Sequence, residues 1–254
     1  SGIIISFGNN PHNETSHDRY VKLTLPRVIF KLKNEMIKSI SSGWQHNIVL
    51  NNKGEIFSFG HNQEYQCGLP NIDHTSNYSN RENINDPTNV SVLNNNLRAI
   101  KVSCGNEHSL ILGEDKNVYG VGNNEDGLLG LSDKELRTYK PVKINFSIKI
   151  NEDKNVEYNG KIVDISCGTV HNLALTDDGG IFSWGSFQGG QLGLSSHLLM
   201  QTNLNNNKET TLYLNTPTLI PYFSKNRIII EKISCGEAHS LALSDKGRVY
   251  SWRS

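Results

Sequence analysis

Ile165-Ser166-Cys167-Gly168-Thr169-Val170-His171-Asn172-Leu173-Ala174-Leu175, followed by Asp178-Gly179 and Ile181-Phe182-Ser183-Trp184-Gly185, is one of four variants of the same stretch. Its first part recurs as Ile40-Ser41-Ser42-Gly43-Trp44-Gln45-His46-Asn47-Ile48-Val49-Leu50, as Val102-Ser103-Cys104-Gly105-Asn106-Glu107-His108-Ser109-Leu110-Ile111-Leu112, and as Ile233-Ser234-Cys235-Gly236-Glu237-Ala238-His239-Ser240-Leu241-Ala242-Leu243. The histidines stand 62, 63 and 68 residues apart (46 to 108, 108 to 171, 171 to 239). A nearly fixed period of this length marks a repeated supersecondary unit that cannot bury its hydrophobic face alone.

Within each copy apolar residues alternate over short stretches, as in strands, and no long stretch has the i, i+3, i+4, i+7 spacing of an amphipathic helix. Lys53-Gly54, Asp178-Gly179 and Lys246-Gly247 turn the chain into an aromatic strand such as Ile56-Phe57-Ser58-Phe59-Gly60 or Val249-Tyr250-Ser251-Trp252. The second copy has Lys116-Asn117 at this turn, and Asn117 is assigned the positive φ because Asn tolerates it better than other non-glycine residues. A Gly-rich connection follows, as in Gln188-Gly189-Gly190-Gln191-Leu192-Gly193-Leu194, then a variable loop and a strand begun by Pro87, Pro141 or Pro217. Each unit supplies about four short strands, which must stack face to face on the next unit to be buried.

The predicted fold is therefore all-β, a β-propeller of four-stranded antiparallel blades with about four blades present. The near side-chain-free Ser-Cys-Gly segments suit the crowded innermost strand. Residues 1–36 are expected to end a preceding blade, 37–99, 100–162 and 163–232 to form blades, and 233–254 to start a further one. The expectation is thus a piece of a longer propeller or an open array. The Asn-rich stretches 70–86 and 195–215 are expected to project as loops from one rim.

The chain has 254 residues, with 25 Lys and Arg balancing 25 Asp and Glu. This balance supplies no long-range field for phosphate backbones, which argues against direct nucleic-acid binding. No apolar run approaches the roughly 18 residues that span a bilayer and no signal-peptide pattern opens the chain, so a soluble protein without a membrane span is expected. Cys104, Cys167 and Cys235 share one register, and Cys67 replaces the Leu192 of the third copy. All four read as small buried hydrophobes whose free thiols fit a reducing nuclear or cytoplasmic compartment. No Gly-x-x-x-x-Gly-Lys-Ser/Thr, Gly-x-Ser-x-Gly, Cys-x-x-Cys or His-Glu-x-x-His occurs, so hydrolase, NTPase and metalloenzyme readings lack support, and neither metal nor cofactor is expected.

The Ser-Cys-Gly, His-Asn-Leu-Ala-Leu, Asp-Gly, Phe-Ser-Trp-Gly and Gly-Gln-Leu-Gly blocks of the third copy resemble the repeat of the regulator of chromosome condensation family. The resemblance covers about residues 37 to 254, together with Ile4-Ile5-Ser6-Phe7-Gly8-Asn9-Asn10. It implies a propeller of the kind that has seven blades in that family, of which this chain is short by about three. It also implies a Ran-like small GTPase as partner and guanine-nucleotide exchange as activity, achieved without covalent catalysis. The alternative is a non-catalytic scaffold for protein–protein interaction within a larger protein. A light sensor like the plant UV-B photoreceptor is disfavoured, because only Gly43-Trp44-Gln45-His46 fits its Gly-Trp-x-His turn.

Function is expected where residues vary on a constant frame. The two positions between Gly and His are such places: Trp44-Gln45, Asn106-Glu107, Thr169-Val170 and Glu237-Ala238. The resemblance puts the corresponding turns on the GTPase-binding face, which makes Glu107 the first candidate contact and Glu237 the second, joined by Asn106, Gln45 and Trp44. His46, His108, His171 and His239 are read instead as folding positions, each bonded to a backbone carbonyl near the inner turn.

Overall fold

The computed structural model describes residues 3–17, 22–70, 83–91, 96–131, 135–151, 154–196, 199 and 212–253. The expected loops at 70–86 and 195–215 lie mostly outside these residues. The chain divides into two compact units. In the first, β1 (Ile5–Gly8) pairs with β2 (Leu23–Val28), and β3 (Ile37–Ser42), β4 (His46–Asn51), β5 (Ile56–His61) and β6 (Asn83–Asn89) form a four-stranded antiparallel sheet. The sheet of β7 (Ala99–Cys104), β8 (His108–Gly113), β9 (Val118–Asn123) and β10 (Arg137–Ile144) lies mostly in the same unit.

The second unit holds a hairpin of β11 (Ser147–Asn151) and β12 (Lys154–Glu157). It also holds the four-stranded sheet β13 (Ile162–Cys167), β14 (His171–Thr176), β15 (Ile181–Ser186) and β16 (Tyr213–Leu219), and the three-stranded sheet β17 (Ile230–Cys235), β18 (Ser240–Ser244) and β19 (Val249–Trp252). A short helix, α1 (Pro221–Lys225), starts on Pro221, where a missing N–H costs nothing.

Sheets stack through their inner strands, as four strands per unit demand. In the first unit, Ile48, Leu50 and Ile56 of one sheet pack with Val102, Cys104 and Ile111 of the next. In the second, Leu173, Leu175 and Ile181 pack with Ile230, Ile233 and Ala242, and Phe223 of α1 closes the cluster against Tyr250 and Trp252. Strands β5, β8, β14 and β15 are buried along their whole length.

A bulge recurs near the end of the third strand. The register shifts between Ser58 and Gly60 and between Ser183 and Gly185, and Gly60, Gly122 and Gly185 have φ of 106°, 106° and 102°. Only glycine adopts this conformation readily, and a Cβ there would stand 2.5 to 2.7 Å from the carbonyl oxygens of Gln45, Glu107 and Val170.

Two local expectations are corrected. Pro87, Pro141 and Pro217 do not begin strands; they lie inside β6, β10 and β16, which are sheet edges where the absent N–H breaks no ladder bond. In the second copy the positive φ falls on Lys116 (66°), not Asn117. Counting back from Val118, Lys116 occupies the place of Gly54, so spacing overrides the milder preference of Asn. Lys116→Gly is expected to stabilise the protein by about 0.5 to 1 kcal/mol, relief of the left-handed strain outweighing the added unfolded-state freedom. A urea midpoint that fails to rise would contradict this.

The β11–β12 hairpin has no counterpart in the repeat. It is rooted by Phe146 and Tyr158, whose rings pack edge-on against Phe182 at 5.2 Å each, with Phe146 also meeting Trp184 at 5.7 Å.

Candidate functional site

Each Gly-x-x-His segment is a closed turn. The Gly N–H donates to the His carbonyl in all four copies, at 2.9 Å for Gly43, Gly105 and Gly236 and 2.8 Å for Gly168. A second tether comes from the end of the third strand in three copies, where His61, Asn123 and Ser186 N–H donate to the carbonyls of Gln45, Glu107 and Val170 at 2.7, 2.9 and 2.8 Å. The bulged glycines described above allow this close approach. The backbone of the turn is thereby fixed, leaving the two intervening side chains free to vary.

Of the candidate contacts, Trp44 is 66% exposed, Glu237 is exposed, and Gln45, Asn106 and Glu107 are half-buried. The Glu107 carboxylate accepts a hydrogen bond from the Asn123 side-chain amide at 3.2 Å, which holds it in place on its turn. Asn123 was not signalled by the repeat, because its equivalents are His61 and Ser186. Trp44-Gln45 and Asn106-Glu107 sit on neighbouring turns of the first unit, close enough that a Cβ on Gly43 would lie 2.4 Å from the Gly105 carbonyl. Glu237 belongs to the second unit, where its carbonyl accepts from Thr169 N–H at 3.3 Å.

His46 and His171 are folding positions, but their partner differs from expectation. His46 Nε2 lies 2.7 Å from Ser109 Oγ in the next sheet, and that hydroxyl donates its single proton to the Gln66 carbonyl at 2.9 Å. The imidazole must therefore be the donor, in its Nε2–H form. His171, Ser240 and the Gln191 carbonyl repeat the relay at 2.9 and 2.8 Å. The carbonyl is reached through a hydroxyl because the serine of the following sheet stands between. His239 departs from the pattern: it is exposed.

His46 Nδ1 is buried without a hydrogen-bond partner. A proton there would be stranded, and burial, reinforced by His108 and then His61, lowers the His46 pKa to about 3. A base so weak neither shuttles protons nor carries charge near neutrality. Among the described residues no group of three or more His, Cys, Asp or Glu is placed to hold a metal ion.

All four cysteines are free thiols. Burial pushes Cys104 up to about 11, Cys235 up to about 12 and Cys67 well above the ordinary thiol range. Cys104 and Cys235 point into sheet interfaces, donating weakly to the Ser41 and Ser166 carbonyls at 3.4 and 3.3 Å. They are packing groups rather than nucleophiles.

Four-stranded antiparallel sheets, stacked through their inner strands and fitted with fixed Gly-x-x-His turns of variable content, define a repeat β-propeller. Residues 1–252 match the family model described as the RCC1-like domain, and the chain belongs to that family. Over 202 residues it is 30% identical to a bifunctional serine/threonine-protein kinase/NEDD4-like E3 ubiquitin-protein ligase of Dictyostelium discoideum, a match spanning 77% of this chain and 10% of that one. Yeast RCC1 (Prp20), solved bound to Kap60, shares the fold with a TM-score of 0.74 at 21% identity, over 99% of this chain and 52% of that one. A structure of Prp20p from Saccharomyces cerevisiae, described with its binding to Gsp1p and histones, matches with a TM-score of 0.54 at 20% identity, over 97% and 65% of the two chains. The chain spans less than half the length of each of five curated relatives. No helix among the described residues is long and apolar enough to cross a membrane.

Proposed function

We propose that the Gly-x-x-His turn face binds a Ran-like small GTPase and promotes release of its nucleotide. The observation that carries this reading is Glu107, an acidic side chain held by Asn123 on a turn whose backbone is tethered twice. Support comes also from the resemblance of the repeats to exchange factors and from a solved relative described with binding to Gsp1p. Exchange requires no covalent chemistry: the module binds the nucleotide-free GTPase more tightly than the loaded one, and that difference lowers the barrier to release. Glu107 supplies a charge-assisted contact and Asn106, Gln45 and Trp44 flank it; Glu237 offers a second acidic contact on its own unit. A nuclear or cytoplasmic setting fits the free thiols.

The test is release of fluorescent GDP from a panel of small GTPases. Acceleration is expected for a Ran-like member, and Glu107→Ala should weaken partner binding by about 1 to 3 kcal/mol while changing stability by no more than about 0.5 kcal/mol. Full affinity in Glu107→Ala would remove this residue from the site. The match to a kinase/ubiquitin ligase of which the chain spans 10% favours a second reading, a scaffold without exchange activity. Stable binding of a partner without acceleration of GDP release from any GTPase would select it.

A further inference from the structure

One loop of the first unit bears an aromatic residue where its later counterparts have glycine. Past the third strand the chain makes a recurrent double turn: Tyr65 N–H donates to the Asn62 carbonyl and Gly68 N–H to the Tyr65 carbonyl, as Gly127 and Gly130, then Gly190 and Gly193, do in the later copies. Asn13 holds the same place after β1. The place demands a left-handed backbone, with φ of 62°, 64°, 68° and 66° at Asn13, Tyr65, Gly127 and Gly190. Glycine adopts it without strain and Asn tolerates it, but a bulky side chain there is an outlier. Among the described residues Tyr65 is the only aromatic one with positive φ.

The loop is clamped on both sides of this strained residue. Asn62, fully buried, accepts the Cys67 N–H on its side-chain oxygen at 3.0 Å and donates its amide to the Leu69 carbonyl at 3.0 Å, and Gln66 and Cys67 are buried. Tyr65 itself is only half-buried, its ring packed edge-on against Tyr139 of β10 at 5.8 Å. At Gly127 no side chain would fit, since a Cβ would stand 2.7 Å from the Asn215 backbone. Strain kept for a ring that adds little to the core is a mark of function.

The surroundings of the ring decide what fits. Arg137 of β10 lies over it, 5.6 Å from its centre, and Arg137 Nη1 donates to both carboxylate oxygens of Glu64 at 3.2 Å. Lys140 lies over the Tyr139 ring at 5.7 Å and, exposed, has no carboxylate partner among the described residues. The two rings, inclined at 67°, form a corner whose hydroxyls have no hydrogen-bond partner among the described residues. Paired aromatic faces can cage a cation, but the chain's own cations already lie over both, which disfavours a cationic ligand. Strand addition at the β10 edge is disfavoured too: the Thr138 hydroxyl bonds to both the N–H and the carbonyl of Lys140 at 3.1 Å, and Pro141 has no N–H to give.

We propose that the Tyr65–Tyr139 corner binds an acidic peptide segment in which a carboxylate stands beside a proline or leucine. The apolar residue seats in the angle between the rings, and the tyrosine hydroxyls donate to main-chain carbonyls of the segment. Lys140 takes the carboxylate, and Arg137, whose Nη1 is fixed by Glu64, offers its remaining N–H groups. The corner lies beside the Glu107 turn: a Cβ on Gly122 would stand 2.5 Å from the Glu107 carbonyl and 3.2 Å from Gln66 Cα. It is a separate site of opposite charge, and it does not rest on the GTPase reading.

The probe is a fluorescein-labelled peptide of four Glu-Pro-Leu-Asp repeats, titrated by anisotropy into the 254-residue protein with no GTPase present. A Lys-Pro-Leu-Lys peptide and an oligo-dT strand serve as controls. Saturable binding of the acidic peptide alone is expected, weakening as salt is raised. Lys140→Glu, at an exposed position, should weaken it by about tenfold or more without lowering Tm. Tyr65→Gly should also weaken it by about tenfold or more while leaving Tm unchanged or higher, a combination that a residue kept for binding gives and a packing residue does not. No saturation by about 1 mM peptide would overturn the proposal. So would an affinity unchanged by Tyr65→Gly, a Tm lowered by it, or tighter binding of the lysine peptide or the oligonucleotide.

Discussion

Between pH 7 and pH 4 the folded state is expected to lose about 3 kcal/mol through His46 alone. The unfolded imidazole titrates near 6.5 and the folded one at about 3, so between these values the unfolded chain holds the extra proton. Stability is full above the upper value and falls as the pH drops through the window, by up to about 1.4 kcal/mol per pH unit. Urea unfolding at pH 7, 6 and 5 measures the slope above the range where most carboxylates titrate. His46→Gln should flatten it, whatever that variant does to absolute stability. A slope shared equally by parent and variant would mean that His46 does not govern the acid response.

Gly168→Ala should cost on the order of 2 to 4 kcal/mol. The inner glycines do not occupy strained backbone, as a sharp turn near a crowded strand would suggest; Gly43, Gly168 and Gly236 lack positive φ. They are required because the repeat imidazole lies over them. A Cβ on Gly168 would be 2.2 Å from His171 Cε1 and 2.6 Å from the Gly236 carbonyl, and neither the buried ring nor the neighbouring backbone can give way cheaply. Gly247 provides the contrast: φ is 73° with nothing within 4 Å of a Cβ, so Gly247→Ala meets backbone strain alone, about 1 to 2 kcal/mol. Equal losses of Tm in the two variants would show that crowding is not what fixes Gly168.

The sheets were legible because each role recurs. A glycine closing the aromatic strand in three copies announces a special backbone position before the carbonyl that requires it is known. The partner of His46 was not legible, since it lies 63 residues away in another sheet and local pattern says nothing about which side chain crosses an interface. Lys116 was misplaced by one residue because Asn117 offered a more tolerant side chain, while strand spacing decided the outcome. The β11–β12 hairpin escaped notice because a single inserted segment has no second copy to compare. For the candidate site, Glu107, Glu237, Asn106, Gln45 and Trp44 could be named as variable turn positions, but the clamp on Glu107 could not, since Asn123 is itself a variable position.

The histidine relay has a direction. His46 and His171 each reach forward to the following sheet, and the hydroxyl they meet returns its own proton to a connection of the sheet they came from. Where Asn stands in the receiving place, as at Asn172, its amide still donates backward, to the Leu128 carbonyl at 3.0 Å. The sheets of His46 and His171 thus each bring a forward hand, and those of Ser109, Asn172 and Ser240 a receiving one. A gene segment encoding one unit can be duplicated or deleted in frame and each remaining junction still joins a hand to its match, so lineages built on this stitch are free to change their number of units while leaving the chemistry of every joint as it was.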